Sequence, residues 1–573
     1  MKKILLRRPV LSIDNLSQLH PVLQRIYAAR GIQTLDELDY RLTRLLHYQD
    51  LMGIDSAAVK IGQVIMQGQR IVIIGDFDTD GATSSALAVS ALRSFGANFV
   101  DYLVPNRFHY GYGLSPEIVA VAMNLKPNLI ITVDNGISNH EGVSAAKQAG
   151  VTVIITDHHL PGSCLPNADV IVNPQQVGDR FASKNLAGVG VIFYVMLAVR
   201  SYLRTQSWFG QRGLPEPNMA SFLDLVALGT VADLVPLDHN NRLLVYHGLC
   251  WIRSGKARPG IIALLDAAGR KASCATANDL SYSIAPRLNA AGRLTDMSLG
   301  IECLLALKLD SARTMAQQLS QLNQTRRVIE QGMQQQAWTI LNKLENLSSQ
   351  LGICLFNESW HQGVIGLLAS RIKERYHRPS IIFAPGIDAD ELKASARSIP
   401  GLHIRDVLQA IAVRHPNLII KFGGHAMAAG LTLQPDAFPT FCVAFQKELK
   451  NHLTADNLRP ECLTDGTLSA SDLTLELAEC LQRAGPWGQA FPEPLFDGHF
   501  HVLDQRSLAN KHLKFILGLE GTSRLFDAIA FNIDQKRWPN YRVEKIRSAY
   551  RLDSNEYKGR KNVQLVLEEL EEA

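Results

Sequence analysis

No two of the eight cysteines (Cys164, Cys250, Cys274, Cys303, Cys354, Cys442, Cys462, Cys480) stand at CxxC spacing. Scattered in this way, they argue against a disulfide framework and a thiolate zinc site and fit a reducing compartment. No apolar run approaches membrane-spanning length, so no membrane association is expected. The opening MKKILLRRPV has only a brief apolar run before Arg7 and Arg8, which makes a poor signal peptide. Neither sign of charge dominates: 58 Lys and Arg against 54 Asp and Glu leave a net +4. That permits nucleic-acid binding through local patches without demanding it. A cytoplasmic protein is expected.

What is present describes an ordered chain, 46% apolar and 20% charged, with few low-complexity stretches. Its 573 residues are too many for one core, and about three or four domains are expected. Residues 1–65 read as a helical lead-in, with apolar spacing at Val22–Ala29 and Leu35–Leu46. From Ile71 the pattern alternates between strand and helix, the signature of a parallel α/β sheet. Strands are expected at Ile71–Gly75, Phe99–Val104, Leu129–Val133, Val151–Thr156 and Asp169–Val172, and helices at Ala82–Phe95, Ser115–Asn124 and His140–Ala149.

The chemistry gathers where those strands end. Ile71–Ile74 runs into Gly75-Asp76-Phe77-Asp78-Thr79-Asp80-Gly81, three aspartates at alternate positions. Carboxylates this close repel unless a cation lies between them. A solvated acidic turn would also carry such charges. An EF-hand loop would not fit, because its twelfth position is Leu87 and not a glutamate. The next two strands end in Asp134 and in Asp157-His158-His159. In a parallel sheet these ends lie side by side, where α/β sheets bind ligands. Mixed carboxylate and imidazole donors suit manganese or magnesium. Asp233 follows in the apolar GTVADLVP.

Further along, Arg287, Asn289 and Arg293 share the small-residue stretch PRLNAAGR, read as an anion-binding loop that Arg107 could join. Residues 301–345 read as a long linking helix. A second α/β unit follows (346–455), with strands at Gly352–Phe356 and Ser380–Ala384. Its Ser395-Ala396-Arg397-Ser398 and Gly423-Gly424-His425 combine a guanidinium fork with glycines that admit a phosphate. Within 456–573, from about Phe496, five short strands in about 75 residues point to an OB-type barrel. Its basic run (Lys536, Arg537, Arg542, Lys545, Arg547, Arg551, Lys558, Arg560, Lys561) is interleaved with Trp538, Tyr541, Tyr550 and Tyr557, the composition of a single-strand platform. Glu568, Glu569, Glu571 and Glu572 read as an acidic tail.

In this order, GDFDTDGATS, TVDNGIS, TDHH and GTVADLVPL resemble the four motifs of the DHH phosphoesterase superfamily. VPNRFHYGYGLS, LAGVGV, IAPRLNAAGRL, WHQGVIGLLASRI and KFGGHAMAAG extend the likeness to bacterial single-strand-specific 5′→3′ exonucleases of that superfamily. The resemblance implies a DHH domain (66–300), a DHHA1 domain (346–455) and an OB-like domain (456–573), with a two-metal site at the bottom of a cleft between the first two. It implies two divalent cations, Mn2+ or Mg2+, held by Asp78, Asp80, Asp134, His158 and Asp233, with Asp134 bridging. Asp76 and His159 would orient ligands or substrate, and Asp157 would hold the imidazoles. Related enzymes can carry a histidine where this chain has Ile74, so the ion at Asp78 would have one protein ligand fewer. Some of Arg107, Arg287, Asn289, Arg293, Ser395, Arg397, Ser398, Gly424 and His425 would cradle a 5′-terminal phosphate.

The implied activity is degradation of single-stranded DNA to nucleoside 5′-monophosphates in repair and recombination. A monomer is expected, fed by a RecQ-type helicase and meeting a single-strand-binding protein. Two rivals stand beside it. One is a DHH hydrolase of short oligonucleotides, cyclic dinucleotides or pyrophosphate. The other is a scaffold that binds strands without cutting, which would not need all five metal ligands.

Overall fold

The computed structural model describes residues 3–10, 14–107, 110–344, 347–386, 390–508, 512–533, 538, 543–557 and 559–573. The chain divides into two compact units, one of residues 10–323 with 480–493, the other of 1–9, 324–479 and 494–573. The strand that opens the chain, β1 (Ile4–Arg7), belongs to the latter.

The unit of residues 10–323 is built on a five-stranded, all-parallel sheet of β2 (Arg70–Ile74), β3 (Phe99–Leu103), β4 (Leu129–Val133), β5 (Thr152–Thr156) and β6 (Val170–Val172), in the order β3-β2-β4-β5-β6. The three inner strands are almost wholly buried, as continuous Ile/Val runs require when helices cover both faces. On one face Ile118, Val119, Val143 and Ala146 pack on Val72, Ile130 and Val153. The helix Thr79–Ser94 is buried on nearly every side, which its Ala, Ser, Thr and Gly content allows. The segment 480–493 completes this unit: Trp487 and Phe491 stack on each other and on Tyr27, and Arg242 lies 4.4 Å from the Phe491 ring.

Three expectations are corrected in this unit. Leu35–Leu46 is not a helix but holds two 3-10 turns, Leu35–Leu38 and Leu42–Arg44. The Asp39 carboxylate accepts from the Arg41 backbone N–H and side chain, and so draws the backbone out of the helical pattern. The helix expected at Ala82 begins at Thr79, because the Asp78 carboxylate caps it by accepting from Gly81 N at 3.0 Å. PRLNAAGR is not a loop; it lies in the helix Ala285–Leu294, with Pro286 in the first turn, where no N–H donor is needed.

The other unit begins partway along the 34-residue helix Leu309–Asn342. Its sheet comprises β7 (Ile353–Phe356), β8 (Ser380–Pro385), β9 (Leu392–Arg397), β10 (Lys421–Gly424) and β11 (Ala428–Leu433), in the order β10-β11-β9-β8-β7. The helices Ile404–Arg414 and Phe438–His452 cover one face through Val407, Ile411, Phe441 and Phe445. The helix Ile365–Tyr376 is tied to the long helix through Glu330, whose carboxylate binds Arg326 on its own helix and Arg371 at 3.0 Å. The lead-in is not wholly helical: β1 pairs in parallel with β12 (Glu461–Thr464).

The barrel is closed, in the order β13-β14-β15-β17-β16, from β13 (Phe496–Leu508), β14 (His512–Leu519), β15 (Leu525–Ala530), β16 (Lys545–Tyr557) and β17 (Arg560–Glu572). Two readings change here. Tyr550 is no surface platform; it is 1% exposed and packs on Phe496 and Phe500 inside the barrel. The acidic residues are no tail, since Glu568–Glu572 lie within β17, and Glu568 pairs with Arg551 at 2.5 Å. Lys536, Arg537, Tyr541, Arg542 and Lys558 lie outside the described residues, as does the Tyr557 side chain.

Candidate active site

The carboxyl ends of β2, β4 and β5 place the predicted acids and imidazoles together. Asp76 and Asp78 follow β2, Asp80 sits in the first turn of the helix Thr79–Ser94, Asp134 follows β4, and Asp157, His158 and His159 follow β5. Asp233 arrives from the end of the helix Leu223–Ala232. The His158 Nε2 atom lies 3.1 Å from Asp134 Oδ1, 3.5 Å from Asp233 Oδ2 and 3.9 Å from Asp80 Oδ2. Ile74, fully buried at the end of β2, contributes only its carbonyl, which accepts from Asn135 Nδ2 at 3.0 Å.

Several neighbours fix these groups. Asp80 accepts from Gly188 N at 2.6 Å and Val189 N at 3.0 Å, the first two N–H groups of the helix Gly188–Thr205. Such N–H groups have no partner within their own helix and favour an anion. Gly188 must be glycine: a Cβ there would meet Asp134 Cβ at 2.6 Å. Asp134 has a left-handed backbone (φ 62°), and its carbonyl accepts from the Tyr112 hydroxyl at 3.0 Å. Asp157 accepts from the backbone N–H groups of Ile137, His158 and His159, and its Oδ1 lies 2.7 Å from His159 Nδ1. The LAGVGV stretch, Tyr112 and Asn135 therefore support the site. The backbone donors of LAGVGV leave no side-chain signature in a sequence, and the Tyr112 hydroxyl and Asn135 amide donate to backbone carbonyls, partners that a sequence does not show.

The electrostatics are those of a site short of positive charge. Burial, then the charge of Asp78, pushes Asp80 up to about 7 against its two backbone donors. Burial and neighbouring carboxylates likewise push Asp76, Asp134 and Asp233 well above the usual carboxylate range. Asp157 differs: burial raises it, but the His159 hydrogen bond and the charges of both imidazoles hold it at about 2. His159 is pushed up to about 9, the pull of Asp157 overcoming burial.

These residues fit divalent cations. Three sets of donor atoms lie within 4.8 Å of one another: Asp134, His158 and His159; Asp80, His158 and Asp233; and Asp76, Asp78 and Asp134. Asp134 is common to two sets, as a bridging ligand would be. The Asp76 Oδ1 atom is buried with no hydrogen-bond partner among the described residues, and such an acceptor is satisfied better by a cation than by an apolar contact. Oxygen and imidazole donors without thiolate suit manganese or magnesium.

The anion-binding candidates separate. Arg107 lies 4.3 Å from the Phe77 ring, and burial lowers its pKa in spite of the charges of Asp76 and Asp78. Arg287 is not an open anion ligand: its guanidinium donates to Ser320 Oγ and to the carbonyls of Ser283 and Ala267, which bind the helix Ala285–Leu294 to its neighbours. Asn289 Oδ1 accepts from Thr79 N and Oγ1, so it holds the turn between Asp78 and Asp80. Arg293 is half-buried on the same helix.

In the other unit, Arg397 Nη1 donates to Ser395 Oγ at 2.9 Å on β9, and Ser398, 1% exposed, donates to the Leu402 carbonyl. Gly424 and His425 stand exposed where β10 turns into β11, and Ser398 N donates to Met427 O in that turn. Gly424 has φ 144° and no room for a Cβ against Ala429.

Comparison with known proteins agrees with this architecture. The DHH family N-terminal domain matches residues 70–230, and the DHHA1 domain matches 348–451. The acid-bearing parallel sheet is thus that of a DHH-family protein. The RecJ OB domain matches 464–569. A single-stranded-DNA-specific exonuclease RecJ of Escherichia coli is 50% identical over 97% of this chain and 96% of that protein. The one from Bacillus subtilis is 32% identical over 96% of this chain and 68% of its own length. A crystal structure of RecJ in complex with Mn2+ from Thermus thermophilus superposes with a TM-score of 0.82 at 27% identity, covering 100% of this chain and 80% of that one. A Mg2+ complex from the same organism gives 0.75 at 26%, covering 99% and 78%. The chain belongs to the RecJ family. Among the described residues no helix is long and apolar enough to cross a membrane.

Proposed function

We propose that this protein is a metal-dependent exonuclease specific for single-stranded DNA. It would work from the 5′ end and release nucleoside 5′-monophosphates. The observation that carries this reading is the convergence of Asp80, Asp134 and Asp233 on the His158 imidazole at 3.1–3.9 Å, beside Asp76 and Asp78. Asp80, His158 and Asp233 would hold one divalent cation, Asp78 the other, and Asp134 would bridge them. With both cations bound, the site has the Lewis acidity to make water a nucleophile near neutral pH and to steady a leaving oxyanion.

The chain's own groups do the rest. Gly188 N and Val189 N keep both oxygens of Asp80 fixed in a buried site. Asp157 fixes the His159 ring, which leaves its other nitrogen for the site. Arg107 brings a cation to the edge of the acid cluster, suited to an incoming phosphate. Arg397 with Ser395 forms a second phosphate-binding pair, the candidate holder of a 5′-terminal phosphate, with His425 and Gly424 at the same end of that sheet. The barrel's described cations, among them Lys545, Arg560 and Lys561, and its exposed Phe531 suit the binding of a single strand. An enzyme of this specificity needs strands opened by a helicase of the RecQ type, and it works on DNA coated by a single-strand-binding protein.

The test is digestion of 5′-labelled and 3′-labelled single strands and of blunt duplex with Mn2+ or Mg2+, alongside Asp80→Ala. Release of labelled mononucleotide first from the 5′-labelled strand, spared duplex and an inactive variant are expected. Equal degradation of duplex, or full activity in the variant, overturns the reading. For Arg397→Ala, an unchanged preference for 5′-phosphoryl over 5′-hydroxyl ends removes that residue from the phosphate site.

A further inference from the structure

Two of the eight cysteines meet. Cys354 lies on β7, the outermost strand of its sheet, and Cys442 lies on the helix Phe438–His452 that packs across that sheet. Both line a groove of about 580 Å³, walled also by Ile340, Leu344, Phe438, Lys447 and Lys450. The two thiols neighbour each other in that groove, and neither is part of a disulfide. Nothing in the proposed nuclease chemistry uses them. Val443 stands 70% exposed beside Cys442, so the groove opens to solvent and admits a small solute.

We propose that Cys354 and Cys442 form a dithiol site that hydrogen peroxide oxidises reversibly to a disulfide. The Cys442 sulfur attacks one peroxide oxygen and the O–O bond breaks. Cys442 becomes a sulfenic acid, and the departing hydroxide leaves as water with the thiol's proton. The Cys354 sulfur then attacks the Cys442 sulfur, the S–O bond breaks, and a second water leaves with the Cys354 proton. Two thiols lose two hydrogens, and one peroxide becomes two waters.

The environment supports that order. The hydrogen bond from Cys354 lowers the pKa of Cys442, whereas burial keeps Cys354 well above the ordinary thiol range, protonated and donating. Lys447 and Lys450 line the same groove. The bond would fasten the edge strand to the helix laid over it, in the unit whose β9 carries Ser395 and Arg397.

The full-length protein is treated with one to five equivalents of hydrogen peroxide, alkylated, digested and examined by mass spectrometry. A linked peptide joining Cys354 to Cys442, lighter by two hydrogens and released by dithiothreitol, is expected. It should disappear in Cys442→Ser, while Cys354→Ser should trap Cys442 as sulfenic or sulfinic acid. Full alkylation of Cys442 after peroxide, or its conversion to sulfinic acid in the unsubstituted protein without a linked peptide, overturns the proposal. The measurement on the unsubstituted protein decides the matter even if a serine variant folds poorly.

Discussion

Gly188→Ala is the sharpest perturbation the site offers, because it adds one methyl group and removes no functional atom. The new Cβ would stand 2.6 Å from Asp134 Cβ and 2.8 Å from Asp134 Oδ1, where ordinary contact begins at 3.4 Å. A shift of about 0.8 Å is needed, and it is of the size at which misplacement lowers rates about 100-fold. Asp134 cannot readily supply it: its N–H donates to Thr156 O at 3.1 Å and its carbonyl accepts from Tyr112. The start of the helix Gly188–Thr205 yields instead, and the 2.6 Å bond from Gly188 N to Asp80 lengthens to about 3.4 Å, beyond the usual N–H···O distance of about 2.7–3.2 Å. A charge-assisted bond of that kind contributes about 1.5–3 kcal/mol, and overpacking costs about 1–3 kcal/mol more. Single-turnover digestion of a labelled single strand should therefore slow by about two orders of magnitude, with stability lowered by a few kcal/mol. Gly210→Ala is the control, since nothing lies within 4 Å of its Cβ. A Gly188→Ala enzyme with unchanged turnover would refute the placement of this helix start against Asp134 and Asp80.

Chelation should abolish the nuclease activity and added Mn2+ or Mg2+ restore it, while Asp80→Asn should weaken Mn2+ binding measured by calorimetry at least tenfold. Glu330→Ala strips the carboxylate from Arg326, which is 7% exposed, so urea unfolding of its unit should show a loss of about 3–5 kcal/mol. Acid unfolding offers a separate check. Burial pushes Asp497 up, but the hydrogen bonds from Arg7 and Thr464 more than offset it and hold its carboxyl below the usual range. Its contribution is therefore complete above the unfolded-state pKa and is lost as the pH falls through the lower folded value. Arg7→Ala should move the acid transition of that unit to higher pH, and an unmoved midpoint would show that the pair contributes nothing.

The acid-bearing strand ends were legible because an apolar β-branched run followed by Asp or His has a spacing that side chains alone reveal. Asp78, Asp80, Asp134 and His158 stand at or just past such strand ends and do converge; Asp233, at the end of a helix, was named only through the resemblance to the DHH motifs. The reading failed where one residue serves two grammars. Asp78 looked like part of a loop, yet its carboxylate caps the helix and so brings Asp80 inside it. Asp39, by capturing the Arg41 N–H, turned an apolar-periodic stretch into 3-10 turns. The PRLNAAGR arginines looked free because charge is visible in a sequence and hydrogen-bond partners are not. Arg287 is occupied by Ser320 and two carbonyls, none of which its own neighbourhood in the chain announces. Tyr550 shows the same limit in the barrel, where alternation marks a strand but not which side of it faces inward.

The pairing of β1 with β12 has a consequence for the order of events on the ribosome. The partners of Ile4–Arg7, Glu461–Thr464, are made more than four hundred residues after them. At about 5–20 residues per second the opening strand waits about 20–90 s for its pair. Tyr27 waits as long for Trp487 and Phe491, without which the core around it is incomplete. Neither unit can finish folding before nearly five hundred residues exist, so the nascent enzyme stays without two of its seams through most of its synthesis.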